Sequence, residues 1–235
     1  YYFGTGTSWT HMATAAQTGG GKAYKASFNF TGDDKVVFVD GLNYPGIYST
    51  SGNTMSFLSS SSPNISTDVQ GAELVSIFKN HAFYSKGQTL TFSVPSTVDN
   101  FNTGAGAGSI NVGNTVTGMA VFREQLIVFT KDSVQKITGS TSSDFKLSPI
   151  TTKIGCISAD SIQEFGGDIM YLAPDGLRLL SATDRIGDFA LDVASDKIFK
   201  DSDDFLRSSP IFSSVIIREK GQYRIFAYVE SLDKE

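Results

Sequence analysis

The side chains able to do acid–base or metal chemistry are few. The chain holds two histidines, His11 and His81, and one cysteine, Cys156. Two distant imidazoles and one thiol do not assemble a tetrahedral His/Cys metal site. One thiol also forbids an intrachain disulfide, which fits synthesis in a reducing compartment. His81 stands at a turn-to-strand junction that Gln125 and Asp168 occupy further along, so it reads as a polar turn residue rather than a general base. His11 lies in a stretch of small residues that reads as a loop. No nucleophile elbow of the Gly-x-Ser-x-Gly type occurs.

Carboxylates are the stronger candidates. Asp168, Asp175, Asp184, Asp188 and Asp192 cluster in sequence around Arg185. Two acids facing one cleft at the right separation would hydrolyse a glycoside. The simpler reading gives Asp168 and Asp175 to turns, and Asp184, Arg185 and Asp188 to a polar network along a connection. Asp201-Ser202-Asp203-Asp204 resembles part of a calcium loop, but the required Gly and distal Glu are missing. Gly104-Ala105-Gly106-Ala107-Gly108 resembles a phosphate loop. It lacks the Gly-Lys-Ser/Thr ending and a following helix, so it reads as a packed loop feeding a strand. Asn29-Phe30-Thr31 and Asn64-Ile65-Ser66 match the glycosylation pattern without any mark of secretion. The expected catalytic, cofactor-binding and metal-ligating sets are therefore empty, and no cofactor is expected.

What positions these residues is a repeat. Val36-Val37-Phe38-Val39, Ala82-Phe83-Tyr84-Ser85, Leu126-Ile127-Val128-Phe129 and Ile169-Met170-Tyr171-Leu172 begin 46, 44 and 43 residues apart. Tyr223-Arg224-Ile225-Phe226 follows after 54. Each is the second strand of a strand–turn–strand–turn–strand unit. The clearest runs Gly118–Phe122, the turn Arg123-Glu124, Gln125–Thr130, the turn Lys131-Asp132, then Val134–Thr138. Polar Gly/Ser/Thr-rich stretches separate the units, and Ser109–Val112 and Phe145–Ile150 are candidate fourth strands. Four antiparallel strands every 44 residues or so is the arithmetic of a β-propeller blade. The expected fold is thus all-β: a partial or interrupted propeller occupying residues 1–235 as a single domain, a fragment of a longer chain. A sandwich or barrel of short strands is the rival. One helix is expected, Leu191–Phe199, from the spacing of Leu191, Ala194 and Ile198.

Bulk properties narrow the function. Net charge is −5, with 19 basic and 24 acidic residues, and no basic run offers a phosphate-binding footprint. The longest apolar runs of four or five residues fall far short of the roughly 20 that span a bilayer.

Two ordered runs carry a resemblance. The first is Phe101-Asn102-Thr103-Gly104-Ala105-Gly106-Ala107-Gly108-Ser109-Ile110-Asn111-Val112-Gly113, followed by Ala120–Phe129. The second is Ile154-Gly155-Cys156-Ile157, then Gly166-Gly167-Asp168-Ile169-Met170-Tyr171-Leu172-Ala173-Pro174-Asp175-Gly176-Leu177-Arg178, then Arg185-Ile186-Gly187-Asp188. From about Glu73 to Lys200 the chain resembles propeller-bearing virion proteins of tailed bacteriophages, of the tail nozzle, tail tubular or DNA-stabilisation type. The resemblance implies a non-enzymatic tail subunit, made in the host cytoplasm. It implies a homo-oligomeric ring, commonly sixfold, joined to adaptor or fibre proteins around a channel through which DNA passes ungripped. The alternative is a carbohydrate-binding or glycan-cleaving propeller, with Trp9, Tyr44 and Tyr48 stacking on sugars and Asp184 and Asp188 as acids. A third reading is an intracellular scaffold propeller that binds peptides.

Overall fold

In the computed structural model, residues 2–5, 8–11, 21–181 and 212–227 are described. Among them the fold is all-β, built from small antiparallel sheets that do not close on themselves. Three sheets have four strands each, in simple meander order. They are β3 (Tyr24–Phe28), β4 (Lys35–Val39), β5 (Gly46–Ser49) and β6 (Thr54–Phe57); β7 (Leu74–Phe78), β8 (His81–Lys86), β9 (Thr89–Phe92) and β10 (Gly108–Asn111); and β11 (Val116–Phe122), β12 (Gln125–Thr130), β13 (Val134–Thr138) and β14 (Lys146–Thr151). A three-stranded sheet follows: β15 (Gln163–Phe165), β16 (Asp168–Ala173) and β17 (Gly176–Leu179). Two hairpins complete the set, β1 (Tyr2–Thr5) with β2 (Ser8–His11), and β18 (Phe212–Ile217) with β19 (Gln222–Ala227). His11 therefore ends a strand rather than lying in a loop. The expected helix at Leu191–Phe199 falls outside the described residues.

The repeat read from the sequence lands in phase. Val36, Ala82, Leu126, Ile169 and Tyr223 are each the second residue of the second strand in successive sheets. Strand alternation then sends neighbouring residues to opposite faces. On β8, Ala82 and Tyr84 join Val37 and Val39 of β4 in one core, while Phe83 joins Leu126 and Val128 of β12 in the next. On β12, Ile127 and Phe129 point the other way and meet Ile169, Tyr171 and Ala173 of β16 in a third. The four sheets thus stack face to face in chain order, and the second strands of the two inner sheets, β8 and β12, are apolar on both sides because both sides are covered.

The tight turns between first and second strands sit side by side along this stack. Lys79 pairs with Glu124, and Arg123 donates from Nη2 to the Gly167 carbonyl at 2.8 Å. These contacts span 45 and 44 residues, which is the repeat itself. Glycine is not needed for every one of these turns: Lys79-Asn80 and Arg123-Glu124 hold positive φ at both positions, the geometry of a two-residue hairpin. Outer edges are blunted in places. Pro149 on β14 has no N–H to offer a further strand, and it lies opposite a register shift at Val134/Gln135.

Candidate functional site

One cavity, of about 250 Å³, is lined by the first strands of the sheets. β3 contributes Tyr24 and Lys25, β7 Leu74 and Val75, β11 Met119, β15 Gln163, and β18 Ser213 and Ser214. The 3-10 turn Ala159–Ser161, just before β15, adds Ala159 and Asp160.

Asp160 is the hub. Its position follows from a local code: Ser158 caps the turn by accepting from the Asp160 amide at 3.3 Å, and Ser161 Oγ donates back to the Ser158 carbonyl at 2.7 Å. The carboxylate so presented accepts from Lys22 Nζ and from Tyr24 Oη, the latter at 2.9 Å and 136 residues away in sequence. The Asp160 carbonyl accepts from Ser214 Oγ, and Gln163 Nε2 donates to the Ser214 carbonyl at 3.3 Å. Tyr223 of β19 donates to the Ser161 carbonyl at 2.7 Å. Two parts of the chain remote from it in sequence, the start of β3 and the β18–β19 hairpin, are therefore tied at one turn. Burial, then the bond to Asp160 and its charge, pushes the Tyr24 hydroxyl well above its ordinary range. Burial pushes Tyr223 up to about 12. Both phenols remain protonated donors at neutral pH, each with an acceptor at the turn. This is the chemistry of a clasp.

The segment before the turn knits the third sheet to the fourth. Cys156 donates its amide to the Thr130 carbonyl at 2.9 Å and Ile157 to that of Leu172 at 2.9 Å. Gly155 crosses directly over a turn, where an added Cβ would stand 2.1 Å from the Thr130 carbonyl oxygen. Cys156 is fully buried, and burial pushes its thiol up to about 11, so it is neither nucleophile nor ligand at neutral pH.

The sequence candidates separate. His81, Gln125 and Asp168 do share one position, the first residue of the second strand. His81 is not a solvated turn residue, however. It is 1% exposed, its Nδ1 lies 2.6 Å from the Ser93 carbonyl oxygen, and Phe83, Phe92 and Phe145 ring it at 5.2–6.4 Å. Asp168 accepts from the amides of Ile169 at 2.8 Å and Ser181 at 3.1 Å, and from Ser181 Oγ. It borders a second cavity of about 210 Å³ with Lys136, Gln125 and Arg123. Asp175 binds Arg178 through both carboxylate oxygens, although one guanidinium nitrogen, Nη1, is buried without a partner. The six residues of β16 hold Asp168 and Asp175 apart by roughly 20 Å at strand rise, beyond any glycosidase pair.

The glycine run forms a 3-10 turn, Thr103–Ala105, capped by Asn102 and closed by Gly106 at φ 102, before entering β10. Asn29 is occupied with Asp34 at 2.8 Å. Tyr44 is partly buried against the first core, and Tyr48 donates to Asn53 at 2.9 Å. The side chains of Trp9 and His11, and residues Asp184, Arg185, Asp188, Asp192, Asp201, Asp203 and Asp204, lie outside the described residues. Among the described residues, no three His, Cys, Asp or Glu side chains gather into a metal site, and no helix is long and apolar enough to cross a membrane. The sequence signal for Asp160 was the Ser-x-x-Ser turn around it. The clasp itself was invisible, because its partners come from three remote strands.

Compared with known proteins, the chain matches no protein-family model and no curated protein sequence.

Proposed function

We propose that the chain is part of a β-propeller that serves as a non-enzymatic structural subunit of a phage tail, in a ring of copies around the DNA exit path. The observation that carries the radial reading is the shared cavity: five successive sheets each place their first strand on it. Covered faces on both sides of β8 and β12 support the same reading. A stack fastened at its turns by contacts one repeat apart is stiff, and stiffness is what a channel wall requires.

The tail assignment draws on the resemblance of the runs at 101–129 and 154–188. The first part of the second run has a structural reason to persist in such a framework, since Gly155 crosses where an added Cβ would clash with main chain. The clasp cavity is not the DNA path. A sphere of 250 Å³ is about 8 Å across, narrower than even the roughly 12 Å major groove of B-DNA. DNA would run through the centre of the ring of copies, and a net charge of −5 disfavours its sticking there.

Mass spectrometry of purified particles from the phage encoding this chain tests the assignment. The chain is expected in the tail fraction at a fixed stoichiometry to the tube proteins. Its absence from the particle ends the proposal.

A further inference from the structure

The β18–β19 hairpin is an incomplete sheet with two unusual surfaces. No described residue pairs with the outer edge of β19. Its two faces also differ. Ser214 and Tyr223 look toward the clasp turn and bond to it, whereas Val215 and Phe226, on the opposite face, are 44% and 55% exposed. An open edge beside exposed apolar side chains, here set among Ser213, Gln222 and Arg224, is a site for strand pairing.

We infer that the β1–β2 hairpin of the same chain is the occupant, pairing β1 with the edge of β19 to make the four-stranded sheet β18-β19-β1-β2. Strand count is the first argument: the complete sheets have four strands, and these two hairpins supply two each. Chain order is the second. In every complete sheet the third and fourth strands directly precede the first strand of the next, and β1–β2 directly precedes β3. Twelve residues separate β2 from β3, within the range of 16, 4 and 11 that separate β6 from β7, β10 from β11 and β14 from β15. Direction is the third. The named strand pairs are antiparallel throughout, both hairpins included, and β1 running against β19 would continue that meander.

Location is the fourth argument. Asp160 takes Lys22 and Tyr24 on its carboxylate and Ser214 on its carbonyl, so the start of β3 and the middle of β18 lie within reach of one residue. The completed sheet would then set Val215 and Phe226 toward the face of β4 that carries Val36 and Phe38, opposite the face turned to β8. Both ends of the stack would be covered by each other, with the chain's first and last described strands in one sheet. The inference rests on the radial reading of the sheets and goes beyond it, since stacked sheets can also remain an open arc.

Paired cysteines test it in a Cys156→Ser background. Tyr2, Phe3 and Gly4 are each combined with Arg224, Ile225 and Phe226, because facing residues on adjacent antiparallel strands have the Cα spacing a disulfide needs. The expected result is an intrachain disulfide in the directly opposed pairs only, seen as a faster band that is lost on reduction. Interchain disulfides alone would overturn the inference in favour of a strand from a second copy, and no cross-link in any pair would overturn it outright. Amide exchange on the unaltered chain is independent of the cysteines. Every amide of β19 is expected to be as protected as those of β12, and exchange at the rate of a solvent-facing edge would contradict closure. Failure of the radial reading is separable, because β3 and β18 would then not share Asp160, and Asp160→Ala would leave amide exchange in both strands unchanged.

Discussion

At the scale of single residues, the groups pushed to hold their protons, Tyr24, Tyr84, Cys156 and Tyr223, are hydrogen-bond donors whose shifts come first from burial. Cys156 is predicted to react with a thiol-specific disulfide reagent only as fast as the protein unfolds; prompt stoichiometric labelling of the native chain would refute its burial. Cys156 and Tyr223 hold their protons more tightly when folded, at about 11 against 9.0 and about 12 against 10.0. Their contribution to stability is therefore complete below the unfolded values and lost as pH rises through the folded ones. The urea midpoint should stay level up to about pH 9, fall through pH 11–12, and fall less between 10 and 12 in Tyr223→Phe. A midpoint unchanged at pH 11 would contradict this. His81 shows why residue roles were hard to read. Its place in the repeat was legible, but its surroundings depend on Phe145 arriving from the next sheet. Truncation to Ala should cost about 2–4 kcal/mol in chemical denaturation, through the void and an unpaired Ser93 carbonyl.

At the scale of elements, strand positions were readable because alternation, turn pairs and period agree with one another. Gln125–Thr130, Val134–Thr138 and Asp168–Ala173 are strands at those bounds. Fourth strands were harder. β10 and β14 are half-exposed and polar, and they differ from loops mainly by whom they pair with. The connection 152–162 was opaque for a different reason: its constraint is a backbone crossing. Gly155→Ala should destabilise by about 2–4 kcal/mol, because the obstructing atoms are main chain and cannot rotate aside. A thermal midpoint equal to the parent would show that the Thr130 turn yields. At the clasp, Asp160→Ala leaves the Tyr24 hydroxyl and Lys22 without their acceptor. A loss of roughly 1 kcal/mol is expected for a partly solvated hub, together with faster amide exchange in β3 and β18. Exchange unchanged in both strands would remove the clasp from the account.

At the scale of the molecule, the sequence carried the number and phase of the sheets but not their arrangement around a common cavity. The residues that declare it, Tyr24, Asp160 and Ser214, are each unremarkable alone and separated by 136 and 54 positions. Nor do polar turn residues such as Asp168 and Asp175 reveal, from spacing in the chain, that a whole strand keeps them apart. What persists across scales is that the inner sheets are buried on both faces, and that Asp160, Lys79 with Glu124, and Arg123 link neighbouring units.

The most direct measurement of that claim is a near-atomic cryo-electron microscopy map of the chain within intact particles. The account predicts sheets arranged radially, with β3, β7, β11, β15 and β18 around one axis, Asp160 joining β3 to β18, and copies ringed about the DNA path. Two sheets packed face to face as a sandwich, or an assembled tail in which no density fits this chain, would contradict it.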